Sequence, residues 1–198
     1  MSISADNIRS KIIEVASEFF TYFGFKKTRM DEIAKKMHKA KGLLYYYFKS
    51  KEDLYKEVLQ KELNEIIYKL KKIIEDENLT PFERIELYFK NRVKLLYNAK
   101  NYHETLRADF FERYHFVDDV REKFEKFEFE ALKKIIKLGV EANCFYVSDI
   151  DAGAKLLLLL LKSSEAPLYL QNKYTEYEKV IDELISTIIN GLKTNNKK

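Results

Sequence analysis

Three features of the sequence predict an all-α fold. Glycine and proline are scarce, five and two in 198 residues, too few turn formers for the many reversals of a β fold. Apolar residues recur at i, i+3, i+4 and i+7 through most of the chain, the spacing of one helical face. Several of these stripes open on a Ser or Thr with an acid three places on, the signature of a capped helix start. Hydrophobic residues make up 46% and charged residues 34%, enough of each for a buried core under a solvated surface.

The elements follow in order. Ile8, Ile12, Val15, Ala16, Phe19, Phe20 and Phe23 form one stripe, which Gly24 stops. Thr28 and Asp31 have capping-box spacing for a short second helix that turns Ile33, Ala34 and Met37 inward. Met37-His38-Lys39-Ala40 makes the bend, and a third helix from about Lys41 to Phe48 sets Leu44 and Phe48 on its inner face. Ser50 and Asp53 cap a long fourth helix carrying Leu54, Val58, Leu59, Leu63, Ile66, Leu70 and Ile74, which ends at Asp76-Glu77-Asn78-Leu79. Its unbroken register predicts a rigid link from the N-terminal segment to the remainder. Thr80-Pro81-Phe82-Glu83 combines an N-cap, a first-turn proline and a box acid, opening a helix through about Ala99.

Further helices are expected from about Tyr102 to Tyr114 and from about Val117 to Glu141, with a loop from Asn143 to Val147. Ser148 and Asp151 cap the next, which holds Ala152, Gly153, Ala154 and the leucine run Leu156 to Leu161 and reaches about Leu170. Thr175 and Glu178 open the last, with Val180, Ile181, Leu184, Ile185, Ile188, Ile189 and Leu192 on its apolar side; Asn190-Gly191 and the tail from Lys193 to Lys198 are expected to fray. The total is about nine helices and no strand.

Charge and composition narrow the function. Residues 1–51 carry eleven Lys or Arg against five Asp or Glu, whereas the rest of the chain is slightly acidic. A basic N-terminal segment in a near-neutral chain suits nucleic acid once a reading helix is present. Lysine-rich flanks and the run Tyr45-Tyr46-Tyr47 give the third helix the basic, aromatic outer face that the major groove of DNA accepts. The single Cys144 rules out an intramolecular disulfide framework and fits a reducing compartment. The charged N-terminal stretch does not read as a signal peptide, and the leucine run is far too short for a membrane span, so a cytoplasmic protein without a membrane partner is expected. There is no Gly-rich phosphate loop, nucleophile elbow or metal-ligand spacing, so no enzyme activity, cofactor or metal is expected.

Residues 8–54 resemble the N-terminal domain of the TetR family of bacterial transcriptional repressors. The resemblance rests on Ile12, Ala16, Phe19, Gly24-Phe25, Thr28, Ile33-Ala34, Lys41-Gly42, Leu44-Tyr45, Tyr47-Phe48, Lys51-Glu52 and Leu54. It implies a helix-turn-helix DNA-binding domain over 1–51 and a larger helical ligand-binding and dimerisation domain over 52–198. By that reading Tyr45 reaches a phosphate, as the matching family tyrosine does. Lys41 approaches a base edge or phosphate, and Gly42 lets the helix lie close to DNA. Leu43 and Tyr46 offer apolar surface to thymine methyls or sugars. Tyr47 and Lys51 act as phosphate clamps, and Thr28 and Arg29 add contacts at the start of the second helix.

The chain departs from the family at Met37-His38-Lys39-Ala40, where Ala-Gly-Val-Ser is usual. Histidine must then take a left-handed turn that glycine takes freely. Ala40 cannot cap the third helix, a cost of roughly 1 kcal/mol. Lys39 adds a charge at the groove. A strained or mobile turn is expected, and an operator unlike those of close relatives.

Residues 81–147 are rich in large rings, which read either as a helical core or as an apolar cavity with a few polar groups. The resemblance favours a cavity for a small-molecule inducer, with Tyr88, Arg92, Arg107, Phe110, Phe111, Tyr114 and Phe127 as candidate lining residues. It also implies a homodimer through the last two helices, pairing two reading helices on a pseudo-palindromic operator. Inducer binding would tilt the fourth helix and move the reading helices out of register. The alternative is a helical architectural DNA-binding protein without a ligand.

Overall fold

The computed structural model describes residues 5–171 and 173–193. They form ten α-helices with one short 3-10 turn and one π turn, and no strand. The helices are α1 (Ala5–Lys27), α2 (Met30–Lys36), α3 (Lys41–Tyr47), α4 (Lys51–Glu75), α5 (Pro81–Tyr97), α6 (Lys100–Thr105), α7 (Ala108–Phe111), α8 (Asp118–Glu141), α9 (Ile150–Ser163) and α10 (Tyr174–Leu192). The all-α class is as the periodicity required. The expected helix from Tyr102 to Tyr114 is instead broken into α6 and α7, because Leu106 ends the first and Arg107, in extended conformation, starts the second. The expected single helix to Leu170 stops at Ser163 and continues as a π turn over Ala166–Leu170, where Pro167 withholds a backbone donor.

Helix starts separate strong local signals from weak ones. Thr80 and Glu83 form the reciprocal capping box in full, with Pro81 in the first turn. Ser50 Oγ accepts from the Asp53 amide at 3.0 Å. Asp149, not Ser148, caps α9 by accepting from the Ala152 amide. Thr28 caps nothing: its hydroxyl donates to the carbonyls of Gly24 (2.8 Å) and Phe19 (3.2 Å), and α2 starts after Arg29 without a side-chain cap. Helix α10 begins at Tyr174, ahead of Thr175, again without a cap. Asn190 and Gly191 are helical, while the tail 194–198 lies outside the described residues.

The chain divides into two compact units, one of residues up to Asn64 together with Ala99–Val120, the other of Glu65–Asn98 together with Arg121 onward. In the first, Ile12, Ala16, Phe20, Ile33, Leu44, Phe48, Leu54 and Leu59 make the core of α1–α4. Here α6 is tied down by polar contacts: Glu62 accepts from the Tyr102 amide at 2.8 Å, Asn101 donates to Ser17, and the Tyr55 hydroxyl donates to the Asn101 carbonyl at 2.7 Å. In the second, Phe89, Leu96, Leu132, Ile135, Ile136, Leu161 and Leu168 are buried. Gly139 leaves the notch that Phe145 fills, since a β-carbon there would lie 2.1 Å from the Phe145 ring. The Tyr146 amide beside it donates to the Leu192 carbonyl at 2.8 Å, fastening the 143–147 loop to the end of α10.

Candidate nucleic-acid interface

Helices α2 and α3 are joined by a turn whose geometry follows from its hydrogen bonds. The Lys39 amide donates to the Ala34 carbonyl and the His38 amide to the Lys35 carbonyl, both at 3.0 Å. This is the Schellman arrangement, which requires a left-handed residue at the position that His38 occupies. His38 adopts it, with φ 54°. Ala40 precedes α3 in extended conformation and supplies no side-chain cap. Both sequence-level departures therefore stand in the fold as a histidine in a glycine position and an uncapped helix start.

Helix α3 has two faces. Leu44 is fully buried, and Phe48, which follows the helix, is 3% exposed. Opposite them Tyr46 is 80% exposed and Tyr45 42%, with the half-buried Tyr47 ring edge-on to Tyr46 at 5.1 Å. Gly42 is exposed, and a β-carbon there would meet nothing within 4 Å. Lys41 extends over the Tyr45 ring and pairs with Asp31 of α2 at 2.7 Å, a contact that raises its pKa. Leu43 is half-buried, whereas Lys39 and Arg29 are exposed. Lys39 lies with Lys11 and Lys36 along an open groove of about 680 Å³ floored by Ile8, Val15 and Met37.

Two of the expected contact residues face inward. Thr28 is 1% exposed, with its hydroxyl and amide both donating to carbonyls of the α1 end. Lys51, the first residue of α4, points its ammonium back at that same end. It donates to the carbonyls of Phe25 (2.8 Å), Thr28 (3.2 Å) and Lys26 (3.4 Å) and lies 4.4 Å from the centre of the Phe25 ring. A cation against the last carbonyls of a helix is a stabilising cap. Burial lowers its pKa. Lys51 is thus placed as a brace rather than as an outward clamp.

The carbonyls it caps belong to a turn made by Gly24, at φ 74° and ψ 166°. That turn throws Phe25 into the protein, where its ring meets Phe20, Tyr55, Phe110, Tyr114 and Phe116 at centroid distances of 5.1–6.2 Å. Next to it Lys26 pairs with Asp109 at 2.6 Å. Sequence reasoning named Phe25 only as a family position; its centrality depends on rings some ninety residues away, which no local pattern reveals.

The seven candidate ligand residues are divided between the two units. Phe110 and Tyr114 belong to the Phe25 cluster in the first unit, where Phe111 is 54% exposed and the Arg107 side chain 61%. Tyr88, Arg92 and the half-buried Phe127 lie in the second. Arg92, with no exposed surface, is spent on protein partners: Glu128 takes two of its nitrogens at 2.6 and 3.1 Å, Glu165 accepts at 2.5 Å, and the Leu161 carbonyl stands at 3.5 Å. Burial would lower its pKa, but the two carboxylates more than reverse this. Tyr88 is fully buried, its pKa well raised by burial, and its hydroxyl has no hydrogen-bond partner. Arg84, which the sequence reading passed over, sits one turn before Tyr88 on α5. It is 6% exposed, donates through Nη2 to the Asp76 carbonyl, and leaves Nε unpartnered. Its signal was available: Arg84, Tyr88 and Arg92 share one face at i, i+4 and i+8.

No group of three or more potential metal-ligating side chains occurs among the described residues, and none of their helices is long and apolar enough to cross a membrane. Residues 12–58 match the model of bacterial regulatory proteins of the tetR family. The HTH-type transcriptional regulator QacR of Staphylococcus aureus is 28% identical over 94% of this chain and 98% of its own length. A transcriptional regulator from Cytophaga hutchinsonii superposes with a TM-score of 0.79 at 25% identity, over 93% of this chain and 98% of that one. The regulator FadR of Bacillus subtilis, solved with stearoyl-CoA, superposes at 0.74 with 17% identity, over 92% and 98%, a likeness of fold. The tetR-family match thus spans α1 to the start of α4, and along nearly its whole length the chain is similar in sequence and fold to HTH-type transcriptional regulators.

Proposed function

We propose that the protein is a ligand-responsive repressor that binds a pseudo-palindromic operator as a homodimer and is released by a small lipophilic inducer. The observation that carries the DNA-reading part is the divided helix α3: Leu44 and Phe48 hold it from inside, while Lys41, Gly42, Tyr45 and Tyr46 stand on its exposed side. Placed in the major groove, Lys41 and Tyr46 reach base edges and methyl groups, and Tyr45, Tyr47, Lys39 and Arg29 reach the flanking phosphates. Thr28 and Lys51 support that surface from behind.

Exposed apolar side chains support the dimer: Leu156 and Leu159 on α9 and Val180 on α10 are 56%, 65% and 55% exposed. Apolar surface of this kind on long helices marks an association face. The Bacillus subtilis regulator of the same fold holds stearoyl-CoA, which supports a lipophilic inducer. An inducer releases DNA only if it favours a state in which the two reading helices no longer match successive grooves.

Operator selection followed by mobility shifts tests this reading. Selection should return a two-fold symmetric site. Lys41→Ala should weaken binding about tenfold and reduce the salt slope by about one, and Tyr46→Ala should relax sequence preference. Selection of no defined sequence would instead indicate an architectural DNA-binding protein.

A further inference from the structure

Three buried side-chain polar atoms among the described residues lack a hydrogen-bond partner: Arg84 Nε, Tyr88 Oη and Asn101 Oδ1. Folded proteins pair nearly all such atoms, so each one left over asks for an explanation. Two of the three lie one turn apart on the same face of α5. Arg84 is also a buried cation with no carboxylate in ion-pair range among the described residues, where the Asp76 carbonyl alone answers it. Two turns further along, Arg92 is fully matched by Glu128 and Glu165. The buried face of α5 therefore has a satisfied charged end and an unsatisfied one.

We infer that Arg84 and Tyr88 are the anchoring donors for the inducer, and that the inducer carries an anionic oxygen group, such as a carboxylate, on an apolar body. This rests on the ligand-responsive reading above and adds the chemical class. Arg84 Nε can only donate, and a guanidinium without a counter-ion prefers an anion to a neutral acceptor. The Tyr88 hydroxyl remains protonated because burial disfavours its phenolate, so it donates to the same group. The body of the ligand would lie against the apolar residues of this face, Ile85 and Phe89 among them. Both anchoring atoms are sealed from solvent. Entry must part α5 from its neighbours, and a ligand that binds only the parted state necessarily shifts the equilibrium toward it.

The test uses the full-length chain with n-alkyl carboxylates from octanoate to octadecanoate, the matching alcohols and the matching trimethylammonium ions, titrated by calorimetry. The carboxylates should bind at least about tenfold more tightly than alcohols of equal length, the value of one charge-assisted hydrogen bond, and the ammonium ions should bind weakest. Arg84→Met should erase the preference for carboxylates while leaving alcohol binding within about threefold, and Tyr88→Phe should weaken carboxylate binding alone. Arg84→Met removes the desolvation cost of a buried cation without a counter-ion against the loss of one hydrogen bond to the Asp76 carbonyl, so the melting temperature of Arg84→Met without ligand should hold or rise. Equal binding of all three series, no binding of any carboxylate, or a fall in that melting temperature overturns the assignment; the last would make Arg84 a structural tie to the α4–α5 connection. Operator binding without ligand, measured in parallel, should be unchanged in Arg84→Met. Its absence in the wild type would count against the regulator reading instead.

Discussion

Lys51 and Thr28 show how one residue can satisfy a family pattern through a different physical role from the expected one. Both sit at positions that DNA-binding relatives lead one to read as contacts, and both turn inward onto the end of α1. Three carbonyl acceptors and an aromatic face surround the Lys51 ammonium. Lys51→Ala should therefore destabilise the protein by about 1–3 kcal/mol, measured by urea denaturation, and alter the salt slope of operator binding little. An outward clamp would show the reverse, with unchanged stability and a shallower slope. The sequence could not separate these cases, because a lysine at the start of a helix is compatible with either and only the position of the Phe25, Lys26 and Thr28 carbonyls decides. Tyr46 was legible from sequence alone: consecutive helical positions diverge by about 100°, so with Leu44 and Phe48 inside, it had to be outside.

At the scale of elements, helix identity was legible wherever periodicity and capping agreed, as in α4 and α5. It was less legible where the chain changes direction within a polar-aromatic stretch. The segment from Leu106 to Val117 contains no proline or glycine, yet the helix breaks at Arg107, and Phe110, Tyr114 and Phe116 pack on Phe25 instead of on a continuous helical stripe. The α2–α3 turn is the opposite case, since both its weaknesses were visible in the residues. His38→Gly should remove the left-handed strain and Ala40→Ser should cap α3, each stabilising the protein by about 0.5–1 kcal/mol in chemical denaturation. No gain in the double variant would mean that the turn is already relaxed with histidine and alanine in place.

For the whole molecule, the prediction concerns assembly. Leu159→Glu puts a charge where an apolar side chain is 65% exposed on α9. It should convert a dimer into a monomer in light scattering and reduce operator affinity at least about tenfold by removing the paired reading heads, with helical content unchanged. The sequence marked this surface only as helices more apolar than a monomer's edge; which leucines stay uncovered depended on how α9 packs within its own unit. The Phe25 cluster has a further consequence, for anyone exchanging parts between such regulators. A DNA-reading module cut after α3 would leave behind Tyr55, Phe110, Tyr114 and Phe116, and would bare a phenylalanine that is now 2% exposed. The transplantable module is discontinuous: residues up to Asn64 travel with Ala99–Val120, and a chimaera that respects this seam inherits a complete core.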